Sequence, residues 1–166
     1  MEYPTEYIAF DLETDGLDTG TCAICEIAVA HVVDGEVVER WSSLVNPGRP
    51  IDGTEAARIN GLTDAEVGAA PTFADIVPDL APFVLAGAPW LAWNCYRYDR
   101  PILARYLDEH VAGDVVEGLS WGDPYVGTSR ALPGLRRYNL AGVGDALGFR
   151  FDETLHRAAA DVDLLV

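Results

Sequence analysis

The stretch Tyr7-Ile8-Ala9-Phe10-Asp11-Leu12-Glu13-Thr14-Asp15-Gly16 decides the fold. Four apolar or aromatic residues run into two acids separated by one leucine, and Asp15-Gly16 with the polar residues to Thr21 marks a turn. A short apolar run closed by a turn reads as a buried strand. A second β-rich run spans Cys25 to Val33, and Asp34-Gly35 after it is a strong hairpin signal. The third run, from Glu36 to Val45, ends at Asn46-Pro47-Gly48. Three strands joined by tight turns predict an antiparallel meander.

Downstream the period lengthens. Thr54 caps a short helix ending at Asn60 and Gly61. Thr72 caps a longer one from Phe73 to Leu85, which Pro78 and Pro82 are expected to bend or divide. Trp90 to Trp93 reads as a buried strand, and Asp99 to Val111 as a helix with Pro101 in its first turn. Residues 112–134 have weak periodicity, with a short strand expected between Trp121 and Val126. Asn139 caps a helix that Gly148 closes, and Leu155 to Val166 is expected to be helical. Strands first, then alternating helices and strands, predict an α/β fold: one domain, residues 1–166, with a mixed central sheet flanked by helices.

Composition narrows the function. The 166 residues are 49% hydrophobic, enough for a core, and no run approaches the length of a membrane span. Neither a membrane association nor a secretory leader is expected. Cys22, Cys25 and Cys95 are read as reduced thiols, and the protein as cytoplasmic. With 27 acids, 11 bases, no lysine and a net charge of −16, an extended grip on duplex nucleic acid is not expected. An acidic metal site and a few arginine contacts to a short strand are compatible with that balance.

Five residues carry chemistry. Asp11 and Glu13 are alternate residues of one strand, so both carboxylates project from the same face. Two close carboxylates repel unless a cation lies between them, and hard oxygen ligands suit magnesium or manganese. Asp99 opens a helix just after Asn94 ends a buried strand, where open α/β sheets place ligands. His156 and Asp161 are five apart, about 140° on an ideal helix. They share a site only if His156 lies at or before the first turn. Each residue also has an ordinary reading: a solvated strand end, a first-turn acid favouring the helix dipole, a surface histidine, a solvated helix face.

Taken together and in this order, the motifs resemble the DEDDh group of 3′–5′ exonucleases, related to the proofreading epsilon subunit of DNA polymerase III and to ribonuclease T. The motifs are Phe10-Asp11-Leu12-Glu13-Thr14-Asp15-Gly16-Leu17, then Trp93-Asn94-Cys95-Tyr96-Arg97-Tyr98-Asp99, then His156-Arg157-Ala158-Ala159-Ala160-Asp161. Residues 46–51, 59–63 and 138–148 also resemble family segments. The chain departs from the family pattern at Trp93 (often His), at Tyr98 (usually Phe) and at Asp15 (usually Thr). Asp15 is expected to add a carboxylate beside the metal site.

The resemblance implies a ribonuclease H-like domain. It implies that Asp11, Glu13, Asp99 and Asp161 hold two Mg2+ or Mn2+ ions, with His156 as general base. It implies release of nucleoside 5′-monophosphates from the 3′ end of single-stranded DNA or RNA, and a polymerase or repair partner. Thr14, Gly16 and Leu17 are the candidates for meeting the terminal nucleotide, Leu62 and Tyr98 for packing on bases, and Asn94 for the sugar or phosphate. Arg97, Arg100, Arg105, Arg130, Arg136 and Arg137 are candidate phosphate contacts. Two alternatives stand beside this reading: a non-catalytic family-like scaffold, and a phosphodiesterase acting on small nucleotides.

Overall fold

The apolar run that begins at Tyr7 pairs along its full length. Glu6–Thr14 (β1) and Ile24–Val33 (β2) are antiparallel, with Asp11 opposite Ala28. Asp34 and Gly35 both have positive φ, 51° and 82°, as a two-residue hairpin turn of the primed type requires. They lead into Glu36–Leu44 (β3), antiparallel to β2. Trp90–Leu91 (β4) adds to the other side of β1 in parallel, and Trp121–Gly122 (β5) adds in parallel to β4. The sheet order is β3-β2-β1-β4-β5, the mixed sheet that the sequence predicts. This computed structural model describes residues 4–111, 115–149 and 157–166.

Strand alternation assigns the two faces of β1. Ile8, Phe10 and Leu12 enter the main core with Trp90, Leu80, Phe83, Ile102 and Leu103. Phe10, Trp90 and Trp121 meet there, with Phe10 edge-on to both tryptophans at centroid distances of 5.4 and 5.8 Å. Ala9 faces the other way, into a smaller cluster with Ala28, Ala30, Ala158 and Val162. Four of these five are alanines, so a helix can pack close to the sheet. That face also carries Asp11 and Glu13.

Eight helices are described: Glu55–Asn60 (α1), Asp64–Gly68 (α2), Phe73–Leu85 (α3), Asp99–His110 (α4), Val115–Gly118 (α5), Pro124–Ala131 (α6), Leu140–Leu147 (α7) and Ala158–Asp163 (α8). The caps expected at Thr54, Thr72 and Asn139 are all made. The prolines do not divide α3. Phe73, Ile76, Leu80 and Phe83 are buried along it, at about 1.5–3 kcal/mol per large side chain, against about 3 kcal/mol for each interior proline.

The strand expected between Trp121 and Val126 is only two residues long. Asp123 accepts a hydrogen bond from Tyr125 N, and Pro124 starts α6, so a helix replaces the rest. The expected C-terminal helix is described only from Ala158; Leu155 and His156 lie outside the described residues. No helix among the described residues is long and apolar enough to cross a membrane.

Candidate active site

Asp11 and Glu13 stand at the carboxyl end of β1, two residues apart on one face. A register shift between Glu13 and Thr14 ends the regular pairing, and Thr14 is buried. Such bulges re-aim side chains beside functional sites. Helix α8 crosses this face on its alanine contact and delivers Asp161. Carboxylate oxygens of Asp11, Glu13 and Asp161 all lie within 4.8 Å of one another.

Asp99, at the first position of α4, is buried. It lies outside that 4.8 Å group, yet its charge acts on both Asp11 and Glu13. The turn that sets it begins at Asn94, whose left-handed φ of 57° an asparagine tolerates. Asn94 N–H donates to Asp123 Oδ1 at 3.0 Å.

The electrostatics follow from this crowding. Burial, then the charges of Asp99, Asp161, Glu13 and Glu26, holds Asp11 well above the usual carboxylate range. Burial and the charges of Asp161 and Glu26 push Glu13 up to about 8, against a lowering hydrogen bond from Asn60. Burial raises Asp99 to about 7 with help from Asp123 and Asp161, while the backbone N–H groups of Asp99 and Leu12 oppose it. Among the described residues, the nearby Arg157 is committed to Glu26 through two bonds of 2.9 and 3.1 Å. Raised carboxylates facing each other, with the neighbouring arginine engaged elsewhere, form a donor set that fits a hard divalent cation.

The other predicted residues divide. Thr14 Oγ1 and Tyr98 OH lie within hydrogen-bonding distance of each other, and both donate toward the Gly16 carbonyl, at 2.9 and 2.6 Å. Leu17 beside them is 82% exposed. Leu62 is not at the surface. It is 2% exposed and packs with Cys25, Ile51, Ala57 and Val67, so in this structure it offers no face to a base. The carboxylate of Asp15 does not join the cluster either. Arg49 grips it through Nε and through Nη2 at 2.9 Å, and Ala23 N–H donates to it at 2.7 Å. His156 lies outside the described residues.

Three residues at the site had no role assigned from sequence. Glu26 on β2 accepts from Arg157 and from Ala158 N at 3.2 Å, anchoring the start of α8. Its signal was an acid within an otherwise apolar strand. Asn60 closes α1 and bonds both the Thr14 carbonyl, at 3.3 Å, and the Glu13 carboxylate. Asp123 joins α6 to the Asn94 turn.

Comparison with known proteins agrees with the fold. The RNase T exonuclease family model matches residues 8–166, and the chain belongs to that exonuclease family. It is 25% identical to DNA polymerase III subunit epsilon of Aquifex aeolicus over 162 residues, covering 95% of this chain and 75% of that one. It is 30% identical to exodeoxyribonuclease 10 of Escherichia coli K12 over 131 residues, covering 79% of this chain and 50% of that one.

Among solved structures, E. coli exonuclease I with single-stranded DNA, in a zinc-bound form, superposes with a TM-score of 0.79 at 18% identity. That match covers 98% of this chain and 39% of the other, and it bears on the fold. Exonuclease X bound to 5′-overhanging duplex DNA gives 0.71 at 26% identity, covering 96% and 86%. The chain spans three quarters of the epsilon subunit, half of exodeoxyribonuclease 10 and 11% of a PolC-type polymerase from Thermotoga petrophila.

Proposed function

We propose that this chain is a metal-dependent 3′–5′ exonuclease that removes nucleoside 5′-monophosphates from single-stranded nucleic acid. The observation that carries the reading is the meeting of Asp11, Glu13 and Asp161 oxygens within 4.8 Å on an exonuclease-family fold. Asp11, Glu13 and Asp161 would hold one Mg2+ or Mn2+ ion, and Asp99 with Asp11 a second. When bound, such ions activate water and neutralise charge developing on the phosphate.

The chain's own residues supply the rest. His156, covalently next to the anchored Arg157, takes a proton from the attacking water, a task that suits an imidazole near neutral pH. The turn at Thr14, Gly16 and Leu17 meets the terminal nucleotide, and Tyr98 holds that turn. Asn94 approaches the sugar or phosphate. Relatives named for polymerase III and exonuclease X bound to DNA favour a DNA substrate and a replication or repair partner.

The test is digestion of a 5′-labelled single strand, as DNA and as RNA, with Mg2+, Mn2+ or EDTA. Wild type is compared with His156→Ala and Asp161→Ala. A ladder shortening from the 3′ end, absent with EDTA and in both variants, is the expected result. Folded wild-type protein that leaves both strands intact with either metal, from low to high salt, overturns the reading.

A further inference from the structure

Residues 124–144 are the longest acid-free run in the chain: 21 residues that include Arg130, Arg136 and Arg137. All 27 acids lie elsewhere. The run forms α6, α7 and the loop between them. A chain of net charge −16 repels a polyanion over most of its surface, so a strand needs a locally positive approach to reach an acidic site.

We infer that this face is the track for the sugar-phosphate backbone of a single-stranded polynucleotide, 5′ of the nucleotide at the carboxylates. The inference rests on the nuclease reading above and extends the substrate site beyond the terminal nucleotide.

The face is continuous with the site. Asp123 caps α6, and the same carboxylate accepts from Asn94 N–H and acts on Asp99. Trp93, one residue before Asn94, donates from Nε1 to the Tyr138 carbonyl at 3.0 Å. Trp93 and Tyr125 meet edge to face at 5.8 Å, and Tyr125 and Tyr138 at 6.3 Å. These three half-buried rings lead from the second motif to Arg137, giving the sequence-tolerant aromatic surface on which single strands stack.

Beside them a cavity of about 790 Å3 is lined by Arg136, Arg137, Asn139, Gly142, Asp145 and Phe149. Asp145 is the one acid in that lining. The loop is closely packed. A Cβ on Gly142 would stand 2.7 Å from Asn139 Oδ1 and 2.8 Å from Arg137 Cβ, so glycine is required for α7 to seat against the arginine pair.

Arg58, Arg97 and Arg100 form no ion pair with a described residue but lie outside this run, and four other arginines are engaged. Arg49 is bound to Asp15, Arg40 to Asp163, Arg157 to Glu26, and Arg105 to the Cys22 carbonyl. Arg130, Arg136 and Arg137 form no ion pair with a described residue. They are the arginines on this face that are left for phosphates.

The experiment is fluorescence anisotropy in Ca2+ with a 20-nucleotide oligothymidylate and a trinucleotide, from 50 to 300 mM salt. Wild type, Arg136→Ala/Arg137→Ala, Arg137→Glu and the control Arg58→Ala are compared. The double variant is expected to weaken 20-mer binding about tenfold and to flatten its salt slope by about 1.4, at about 0.7 per phosphate contact on single strands. Arg137→Glu should weaken the 20-mer likewise, the trinucleotide should shift less than twofold, and Arg58→Ala should match wild type.

Equal weakening of 20-mer and trinucleotide, or a double variant no different from Arg58→Ala, overturns the track. Failure of the nuclease reading is separately visible: wild type then leaves a labelled strand uncut in Mg2+. If wild type shortens the strand while the double variant binds as wild type at every salt, the track alone falls.

Discussion

Glu13 and Asp15 are two residues apart, and the fold treats them in opposite ways. Glu13 faces Asp11, Asp161 and Glu26 and is pushed up to about 8. Asp15 is also partly desolvated, but the Arg49 guanidinium and the Ala23 N–H outweigh that and hold its carboxyl below the usual range. The bulge after Glu13 and the turn at Gly16 send the two side chains to different surroundings. What separates Asp15 from Glu13 is therefore the arrival of the Arg49 guanidinium. Arg49 reaches Asp15, whereas Glu13 meets the charges of Asp161, Glu26 and Asp99. Burial and like charges raise the cost of ionising Asp11 and Glu13, a cost that a bound cation offsets.

The largest effect that can break this comparison is on activity. Asp161→Asn removes a carboxylate from the cluster. Nuclease activity in Mg2+ should fall more than about 100-fold, beyond the usual cost of losing a group that only orients a metal ligand. Glu13→Gln relieves like-charge repulsion, so its melting temperature in EDTA should rise by a few degrees. A metal-free variant that melts lower than wild type would show that the cluster is not strained.

The pH dependence of stability separates the two regions by sign. A carboxyl raised in the folded state binds protons more tightly there than in the unfolded chain, so stability falls as pH rises from the unfolded value toward the folded one. For Glu13 and Asp99 that window runs from about 4 to about 8 and about 7 respectively. In EDTA the melting temperature should fall between pH 5 and 8.5, and saturating Mg2+ should abolish most of the fall, because the ion binds the deprotonated ligands. Asp15 has the opposite sign. Its contribution is present above about pH 4 and is lost below it. A metal-free protein whose stability is flat from pH 5 to 8.5 would remove the distinction.

Particular residues show how far the sequence carried the structure. The meander was legible because Asp34-Gly35 can hold two positive φ values between apolar runs. The helices after Thr54, Thr72 and Asn139 were legible from their caps. α2 escaped although Thr63 and Glu66 form a full capping box, because five residues are too few to show a period. The start of α6, through Val126, was read as strand because Asp123-Pro124 falls within a Gly- and Pro-rich stretch of weak periodicity.

At the site, Asp11 and Glu13 followed from strand alternation. The approach of Asp161 depends on alanines at 9, 28, 30 and 158, a packing fact that motif spacing does not express. Leu62 and Asp15 went elsewhere for the same reason. Their partners, Ile51 and Arg49, come from a loop whose path the local sequence does not determine.

The clamp itself gives a smaller effect. Arg49→Ala leaves Asp15, whose side chain is only 6% exposed, with backbone N–H donors, that of Ala23 at 2.7 Å, and no cation. Loss of a charge-assisted hydrogen bond costs about 1.5–3 kcal/mol when the partner stays buried, and less here because Arg49 is half exposed. A fall of a few degrees in melting temperature is expected, at about 2–4 °C per kcal/mol for a chain of this size. Asp15→Ala/Arg49→Ala should cost less than the two single changes added together, since each single change leaves one partner unpaired. Additive losses would mean that the pair is not coupled.

The smallest effect sharpens the comparison at the turn between the two acids. Tyr98 OH donates to the Gly16 carbonyl at 2.6 Å across 82 residues of sequence, tying the second motif to the first. Burial pushes this hydroxyl up to about 12, so it stays a donor throughout the working pH range. Tyr98→Phe keeps the ring in the core and removes the donor. Thr14 Oγ1 remains within reach of the same carbonyl at 2.9 Å, so the loss should be only about 0.5–1.5 kcal/mol. If the turn orders the terminal nucleotide, KM for a short single strand should rise a few-fold while kcat stays within about twofold, because the carboxylates are untouched. A fall in kcat with KM unchanged would instead assign Tyr98 to the placement of its neighbour Asp99. The hydroxyl would then belong to the metal-binding region rather than to the turn.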